Sequence, residues 1–145
     1  MSNELKFSVS SVSVSPAKTR IQTRGFDLTV DEPEALGGTD QAPNPVEYIL
    51  AGYAGCINVV AHIIAEELDF YLENLKININ GFLNPDRLFG KSLADRAGYK
   101  QIDVSLETTT EIDPELKKRW LEEISHRCPV NDNLTNQTPI SFSIN

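Results

Sequence analysis

The chain has 145 residues, enough for one domain with an apolar core that needs no disulfide bridges. Hydrophobic residues make up 40% of the chain and charged residues 23%, which excludes collagen-like and disordered proteins. The net charge of −8 argues against a nucleic-acid or acidic-membrane partner, because no basic excess is present to neutralise phosphates. The N-terminal segment MSNELKFSVS is polar and lacks the apolar stretch of a signal peptide. Two cysteines are too few for the disulfide-bonded scaffold of a small secreted protein, so we expect a cytoplasmic protein.

The first third of the chain predicts antiparallel strands. Apolar residues alternate with polar ones in three runs, which is typical of strands that bury one face. The runs are residues 5–14, with a phase slip at Ser10–Ser11 that indicates a bulge or a bend, then residues 19–23 and 26–30. Residues 32–43, rich in Gly, Pro and Asp, predict a loop after them.

A long helix is predicted next. The helix is predicted to start with Asn44 as its cap and Pro45 at the first helical position, and Glu47, three residues after the cap, completes a capping box. We expect the helix to reach about Leu68, with a possible interruption near Gly52–Gly55. Residues 48–65 carry no charge and reach the lower edge of a membrane span. Polar residues within this run and acidic flanks favour a buried helix of a globular domain instead.

The second half predicts two more strands and a second helix. Alternation marks strands at residues 75–81, 102–106 and, as the last element, 140–144, and a polar excursion covers 83–98. Asp113-Pro114 opens a helix whose Leu116, Trp120 and Ile124 share one ridge. We therefore expect one α+β domain over residues 1–145, with an antiparallel sheet packed on a long buried central helix plus a second helix.

The two cysteines are the strongest candidates for chemistry. Cys56 falls inside the apolar helix, and Cys128 extends the ridge of the second helix by one step, so both are expected on buried faces. Pro129 ends that helix and could open a short one through Leu134, whose dipole would favour a thiolate on Cys128. Each cysteine alone is well explained as a small buried hydrophobe. As a pair on helix faces that can meet, they could form a disulfide after one is oxidised.

Other candidate residues carry weaker signals. The capping box alone explains Glu47, and as the less favoured alternative this residue could accept a hydrogen bond or hold a cation near Cys56. His62 does not share a helix face with Cys56, and His126 next to Cys128 lacks the further ligands of a metal site. The sequence has no nucleophile elbow, Walker loop or dinucleotide fingerprint, so no cofactor and no metal is expected.

Several short motifs resemble one known family. The central part of the chain resembles the signature of the OsmC/Ohr superfamily in three segments: LGGT at 36–39, NPVEYIL at 44–50 and AGC at 54–56. Two later segments match the second half of that signature, RAGY at 96–99 and CPV at 128–130. The resemblance implies an intertwined homodimer that reduces organic hydroperoxides and hydrogen peroxide, with an external thiol as reductant. It also implies that Cys56 is the peroxidatic thiol, Cys128 the resolving thiol and Glu47 the active-site glutamate.

One stretch departs from the family pattern. Hydroperoxide-resistance members carry an arginine just before the Gly-Gly turn, where this chain has DEPEA at 31–35, with three carboxylates. A guanidinium there would stabilise the thiolate and orient the peroxide, and acid would not. Arg24, Arg87 or Arg96 could supply the charge from elsewhere, and the sequence does not choose among them.

Three functions follow from these residues. The first is a thiol-dependent peroxidase with an apolar substrate pocket lined by Tyr53, Ile57 and Val60. The second is a small-molecule-binding or stress protein that kept the fold but turns over peroxide weakly or not at all. The third is an interaction protein with two inert core cysteines. Disulfide formation driven by peroxide separates the first from the other two.

Overall fold

The computed structural model describes residues 3–145, which divide into two compact units, one ending at Ile49 and one running from Leu50 to Asn145. The first unit holds an antiparallel sheet of three strands in the order β1-β2-β3. The strands are β1 (Ser10–Ser13), β2 (Thr19–Thr23) and β3 (Phe26–Val30). The strands predicted at 19–23 and 26–30 are confirmed, and Ile21 pairs with Leu28 across them.

The predicted first run is shortened to four residues. Leu5, Phe7 and Val9 are 79%, 84% and 69% exposed and belong to no strand. Alternation marks the face that a strand would bury, and among residues 3–145 no apolar surface covers these side chains. The expectation of a strand from residue 5 is therefore wrong, and only its end forms β1.

The loop after β3 is organised around one buried carboxylate. Asp31 is fully buried, and its Oδ2 accepts hydrogen bonds from the Thr39 hydroxyl (2.6 Å) and the Gln41 backbone N–H (3.1 Å). Its Oδ1 accepts from the Glu32 backbone N–H at 2.8 Å. These bonds hold its pKa far below the usual range, with the Thr39 hydroxyl as the largest cause. The predicted loop is thus a fixed structure, and it includes a turn of 3-10 helix at Glu34–Leu36.

The long helix α1 (Pro45–Glu67) passes from the first unit into the second. The capping box is confirmed, because the Asn44 N–H donates to the Glu47 carboxylate (2.9 Å) and the Glu47 N–H to the Asn44 side chain (2.8 Å). The helix continues through Gly52 and Gly55 without a break. By length and composition alone it could cross a membrane, a test that a core helix of a soluble protein also passes.

The second unit is built on a paired sheet and two further helices. Strands β4 (Lys76–Phe82) and β5 (Gln101–Glu107) form an antiparallel pair, and α2 (Pro114–Arg127) and α3 (Pro129–Thr135) follow. Alternate residues of β4 and β5 pack against the buried face of α1, so the predicted α+β class is confirmed. The buried apolar core residues all lie here: Tyr53, Ile57, Val60, Ala61, Ile64, Ala65, Leu72, Trp120, Ile124 and Cys128.

Two further expectations for this unit have different outcomes. Asp113 caps α2 as predicted, because its carboxylate accepts from the N–H of Glu115 at 3.2 Å. The predicted last strand at 140–144 is wrong: Ile140, Phe142 and Ile144 are 76%, 95% and 98% exposed and pair with no strand among residues 3–145.

Candidate thiol site

Both cysteines are placed by helix geometry. Cys56 lies on α1 at the edge of its buried face and is half-buried, whereas Cys128 is 1% exposed. Cys128 ends α2 and at the same time caps α3, because Pro129 has no N–H to continue the first helix and a backbone angle suited to starting the second. The predicted short helix after Cys128 is therefore confirmed.

The two sulfur atoms are in contact. The Cys128 thiol donates a hydrogen bond to Cys56 Sγ with the sulfurs 2.8 Å apart, and both cysteines are free. A disulfide bond of about 2.05 Å needs only a small further approach. The expected meeting of two thiols that are 72 residues apart in the chain is thus observed.

The helix start does not produce an acidic Cys128 thiol. Burial raises the pKa of Cys128, and its hydrogen bond to Cys56 raises it further. The backbone N–H groups of Asn131 and Val130 act in the opposite direction without reversing the shift. The prediction that the dipole of the short helix favours a Cys128 thiolate is wrong in net effect, since desolvation outweighs it.

A polar pair holds the Cys128 side of the site. The Tyr53 hydroxyl donates to Asn131 Oδ1 (2.6 Å), and the Asn131 side chain donates to the Ser125 carbonyl (2.7 Å). The Asn131 backbone N–H donates to Cys128 Sγ (3.4 Å). Burial raises the pKa of Tyr53, and a negative charge on Cys128 or Cys56, when either is ionised, raises it further, so the hydroxyl keeps its proton. Sequence reasoning missed Asn131, although its position three residues after a helix cap was a usable signal.

Cys56 opens into an apolar groove of about 520 Å³. The predicted pocket is correct for Val60 but not for Tyr53 and Ile57, which line a smaller cavity of about 160 Å³ beside Cys128. The difference follows from α1, which turns Tyr53 and Ile57 toward the core. The groove is lined by Gly55, Cys56, Val59, Val60, Ile63, Arg127 and Pro129.

Arg127 is the cationic residue of this groove, and sequence reasoning did not propose it. Its guanidinium donates two hydrogen bonds to the Glu67 carboxylate, at 2.5 and 2.9 Å, and lies 3.8 Å from the Glu123 carboxylate. The hydrogen bonds to Glu67, and to a lesser degree the charges of Glu67 and Glu123, raise the pKa of Arg127, and the same hydrogen bonds lower the pKa of Glu67. The pair joins the last turn of α1 to the last turn of α2.

The three arginines considered from sequence make other contacts. Arg24 lies over the Phe26 ring, 5.1 Å from its centroid, in the first unit. Arg87 donates to the Leu93 carbonyl within its own loop at 2.9 Å. Arg96 lines a cavity of about 230 Å³ that Tyr53 also lines. None of the three is a lining residue of the Cys56 groove.

Glu47 has a structural role in the described residues. Its carboxylate accepts from the backbone at the start of α1, as the capping box requires, and a role beside the thiols stays a prediction. Residues 3–145 contain no group of three or more His, Cys, Asp and Glu side chains that could hold a metal ion.

Comparisons with known proteins agree on the fold. The family model described as OsmC-like protein matches residues 38–143. An OsmC-like protein from Mycoplasma pneumoniae is 20% identical with a TM-score of 0.79, over 91% of this chain and 89% of that one. An organic hydroperoxide resistance protein OsmC from Legionella pneumophila is 19% identical, with a TM-score of 0.67 over 90% and 89% of the two chains.

A third solved structure has the same fold. An organic hydroperoxide resistance protein from Elizabethkingia anophelis is 16% identical, with a TM-score of 0.59 over 91% of this chain and 89% of that one. A comparison with curated proteins finds no significant match. At these identities the solved structures establish the shared fold, and the family model establishes the kinship.

Proposed function

The chain belongs to the OsmC-like protein family, and from that premise we propose that it is a cytoplasmic thiol-dependent peroxidase that reduces organic hydroperoxides. Cys56 is the peroxidatic thiol and Cys128 the resolving thiol. The single observation that carries the proposal is the contact between the two sulfurs at 2.8 Å. Two free thiols in contact beside an open groove can cycle between the reduced pair and a disulfide.

Exposure and hydrogen bonding support this division of roles. Cys56 lines the open groove, where a peroxide can reach its sulfur, whereas Cys128 is 1% exposed. The contact with Cys56 Sγ holds the buried Cys128 sulfur where it can react second, after Cys56 is oxidised. A raised pKa further disfavours Cys128 as the first nucleophile, because the thiolate is the reactive form.

The proposed reaction balances with two thiols and one hydroperoxide. The Cys56 thiolate attacks the distal oxygen of ROOH, so a sulfur–oxygen bond forms, the oxygen–oxygen bond breaks, and the alkoxide leaves as ROH after taking a proton. Cys128 sulfur then attacks the Cys56 sulfenic acid, forming the disulfide and releasing water. An external thiol compound reduces the disulfide by exchange, which returns both cysteines to the free state.

The groove supports organic hydroperoxides over hydrogen peroxide as substrates. Val59, Val60 and Ile63 give its floor an apolar surface next to Cys56. Burying the alkyl or aryl part of a substrate there contributes binding free energy that hydrogen peroxide cannot obtain. Hydrogen peroxide can still react, because Cys56 is accessible, but with lower efficiency.

We also propose that the protein works as a homodimer. The last apolar residues, Ile140, Phe142 and Ile144, and the N-terminal Leu5 and Phe7 are each at least 76% exposed. So much exposed apolar surface on alternating residues is typical of strands that pair with another chain. Pairing with a second copy would cover these side chains.

The test compares the wild-type protein with Cys56→Ser and Cys128→Ser after treatment of the reduced forms with cumene hydroperoxide. We expect an intramolecular disulfide in the wild type by mass spectrometry and no reaction in Cys56→Ser. Cys128→Ser is expected to show a sulfenic acid on Cys56, trapped with dimedone. Two free thiols in the treated wild type, or a sulfenic acid on Cys128 in Cys56→Ser, would contradict the proposal.

The proposed catalytic role of Glu47 has its own variant. Glu47→Gln keeps an acceptor for the Asn44 N–H, so the capping box survives while the charge is removed. A catalytic Glu47 predicts a fall in the peroxide rate of at least about tenfold with little change in melting temperature. An unchanged rate in this variant would leave Glu47 as a helix cap only.

A binding protein without turnover is the second candidate. Residues 31–35 lack the arginine of the hydroperoxide-resistance proteins, and Arg127 in the groove is already neutralised by Glu67. Slow labelling of Cys56 by iodoacetamide at pH 7, together with a small molecule retained through purification, would favour this candidate. Rapid labelling would exclude it.

A further inference from the structure

Resting on the proposed peroxidase function, we propose that the Cys56 groove selects uncharged apolar hydroperoxides and rejects those that carry a carboxylate. Glu67 and Glu123 are the specificity-determining residues, because they occupy the guanidinium of Arg127. The substrate class is then alkyl or aryl hydroperoxides and esterified acyl hydroperoxides, in preference to free-acid hydroperoxides of the same chain.

The shape of the groove suits a linear apolar substrate. Cys56, Val59, Val60 and Ile63 follow one another at the spacing of a single helix face on α1. From Cys56 to Glu67 the helix rises by roughly 16 Å, at about 1.5 Å per residue. Arg127 also lines the groove, so a substrate that extends along these residues from the Cys56 sulfur lies beside the Arg127 guanidinium, to which Glu67 is bound.

The cation at that end is not free to bind an anion. Both terminal nitrogens of Arg127 donate to Glu67, which is the bidentate arrangement that an incoming carboxylate would need. The Glu123 carboxylate lies 3.8 Å from the same guanidinium. One positive charge therefore faces two negative ones, and a substrate carboxylate would meet net repulsion in a chain of net charge −8.

The expected discrimination is modest and depends on salt. The Arg127 and Glu67 side chains are 40% and 51% exposed, so water screens their interactions with a ligand. We expect a two- to fivefold preference for a neutral substrate over its acid, in the range typical of exposed charge interactions. The preference should shrink as ionic strength rises, whereas a preference due to shape alone should not.

The experiment uses one hydroperoxide in two forms. A long-chain unsaturated fatty acid hydroperoxide and its methyl ester differ only in the charge at the far end, and both are used below the concentrations at which they form micelles. Disulfide formation in the reduced protein is followed in single-turnover reactions. We expect the ester to react two- to fivefold faster than the acid in the wild type at low salt.

The variant Glu67→Gln/Glu123→Gln frees Arg127 and is expected to bring the ester-to-acid ratio to one or below. Glu122→Gln, a neighbouring carboxylate on α2 for which the described residues show no ion pair, is the matched control and should keep the wild-type ratio. If the double variant does not fold, Glu67→Gln alone removes the bidentate partner of Arg127, and the salt dependence of the wild-type ratio is an independent readout.

Two results would overturn the inference: a wild-type acid that reacts as fast as its ester, or a ratio unmoved by both salt and the variants. A wild-type protein that forms no disulfide with cumene hydroperoxide would overturn the proposed function itself, and the inference with it. The two failures are therefore distinguishable, because the first leaves cumene hydroperoxide reactive.

Discussion

The two units of the chain are ordered by different interactions. In the described part of the first unit, the only fully buried residue is the carboxylate Asp31, whereas every buried core residue of the second unit is apolar. The first unit is held by sheet hydrogen bonds and by the groups that donate to Asp31. The second is held by side chains from α1, α2 and the β4–β5 pair.

This difference explains where the chemistry lies. Thiols that must meet repeatedly at one geometry need rigid surroundings, and close-packed side chains supply them. Cys128 lies in the core together with Trp120, whose indole N–H donates to the Ala61 carbonyl at 2.9 Å. The first unit exposes Leu5, Phe7 and Phe26 and is better suited to meeting another chain.

The largest contrast between the units should come from matched truncations of apolar side chains. Ile57→Ala, at a 2% exposed core position, is expected to cost about 3 kcal/mol of unfolding free energy, because it leaves a cavity. Leu28→Ala, at a 38% exposed position of β3, should cost less than about 1 kcal/mol. Urea unfolding at fixed protein concentration measures both.

The same pair of variants also tests the homodimer. A Leu28→Ala cost that is small in dilute protein and rises toward that of Ile57→Ala as the protein concentration increases would mean that a second copy covers the first unit at β3. A cost that stays small at every concentration would place β3 outside the interface and leave the proposed dimer to Leu5, Phe7 and the last apolar residues.

A second prediction addresses the polar centre of the first unit. Asp31→Asn places an amide N–H₂ against groups that themselves donate hydrogen bonds. We therefore expect the melting temperature to fall by about 5 °C or more. The loss of hydrogen-exchange protection should be concentrated in the residues before Ile49. Asp27→Asn, on the exposed surface of β3, is the control and should shift it little. Equal loss of protection in both units would contradict the comparison.

The pH dependence of this effect has a definite sign. Because the pKa of Asp31 is lowered in the folded state, its charge stabilises the fold above the unfolded value of about 3.9 and that contribution is lost as the pH falls below it. The wild type and Asp31→Asn should therefore differ most near neutral pH and converge in acid. Because the folded pKa is far below the usual range, the contribution is only partly lost at pH 3, and thermal unfolding from pH 7 to about pH 2 should show the two proteins approaching each other.

The smallest expected effect concerns the polar pair beside the thiols. Tyr53→Phe removes the donor to Asn131 and should cost about 1 kcal/mol of stability. Since Asn131 also donates to Cys128 Sγ, closure of the disulfide after oxidation should slow by a few-fold while the first reaction of Cys56 with peroxide is unchanged. Tyr71→Phe, at a 79% exposed position, is the control and should alter neither step.

Local signals in the sequence predicted much of the fold. The capping box of Asn44 and Glu47, the start of α2 at Asp113 and the short helix after Pro129 depend on contacts within a few residues. Alternation predicted β4 and β5 because both strands have one face on the core. Where the same alternation met no partner, as at Phe142 and Leu5, it predicted strands that this chain does not form.

What the sequence determined by itself was therefore the helices, the strands that have a partner or a core face, the family, and the two thiols as the candidate reactive residues. Only the tertiary structure decided how these thiols behave: their contact, the burial that keeps the proton on Cys128, and the occupation of Arg127 by Glu67. Each of these depends on groups dozens of residues apart in the chain. Local pattern carries no information about such distances, because packing of whole helices and strands sets them.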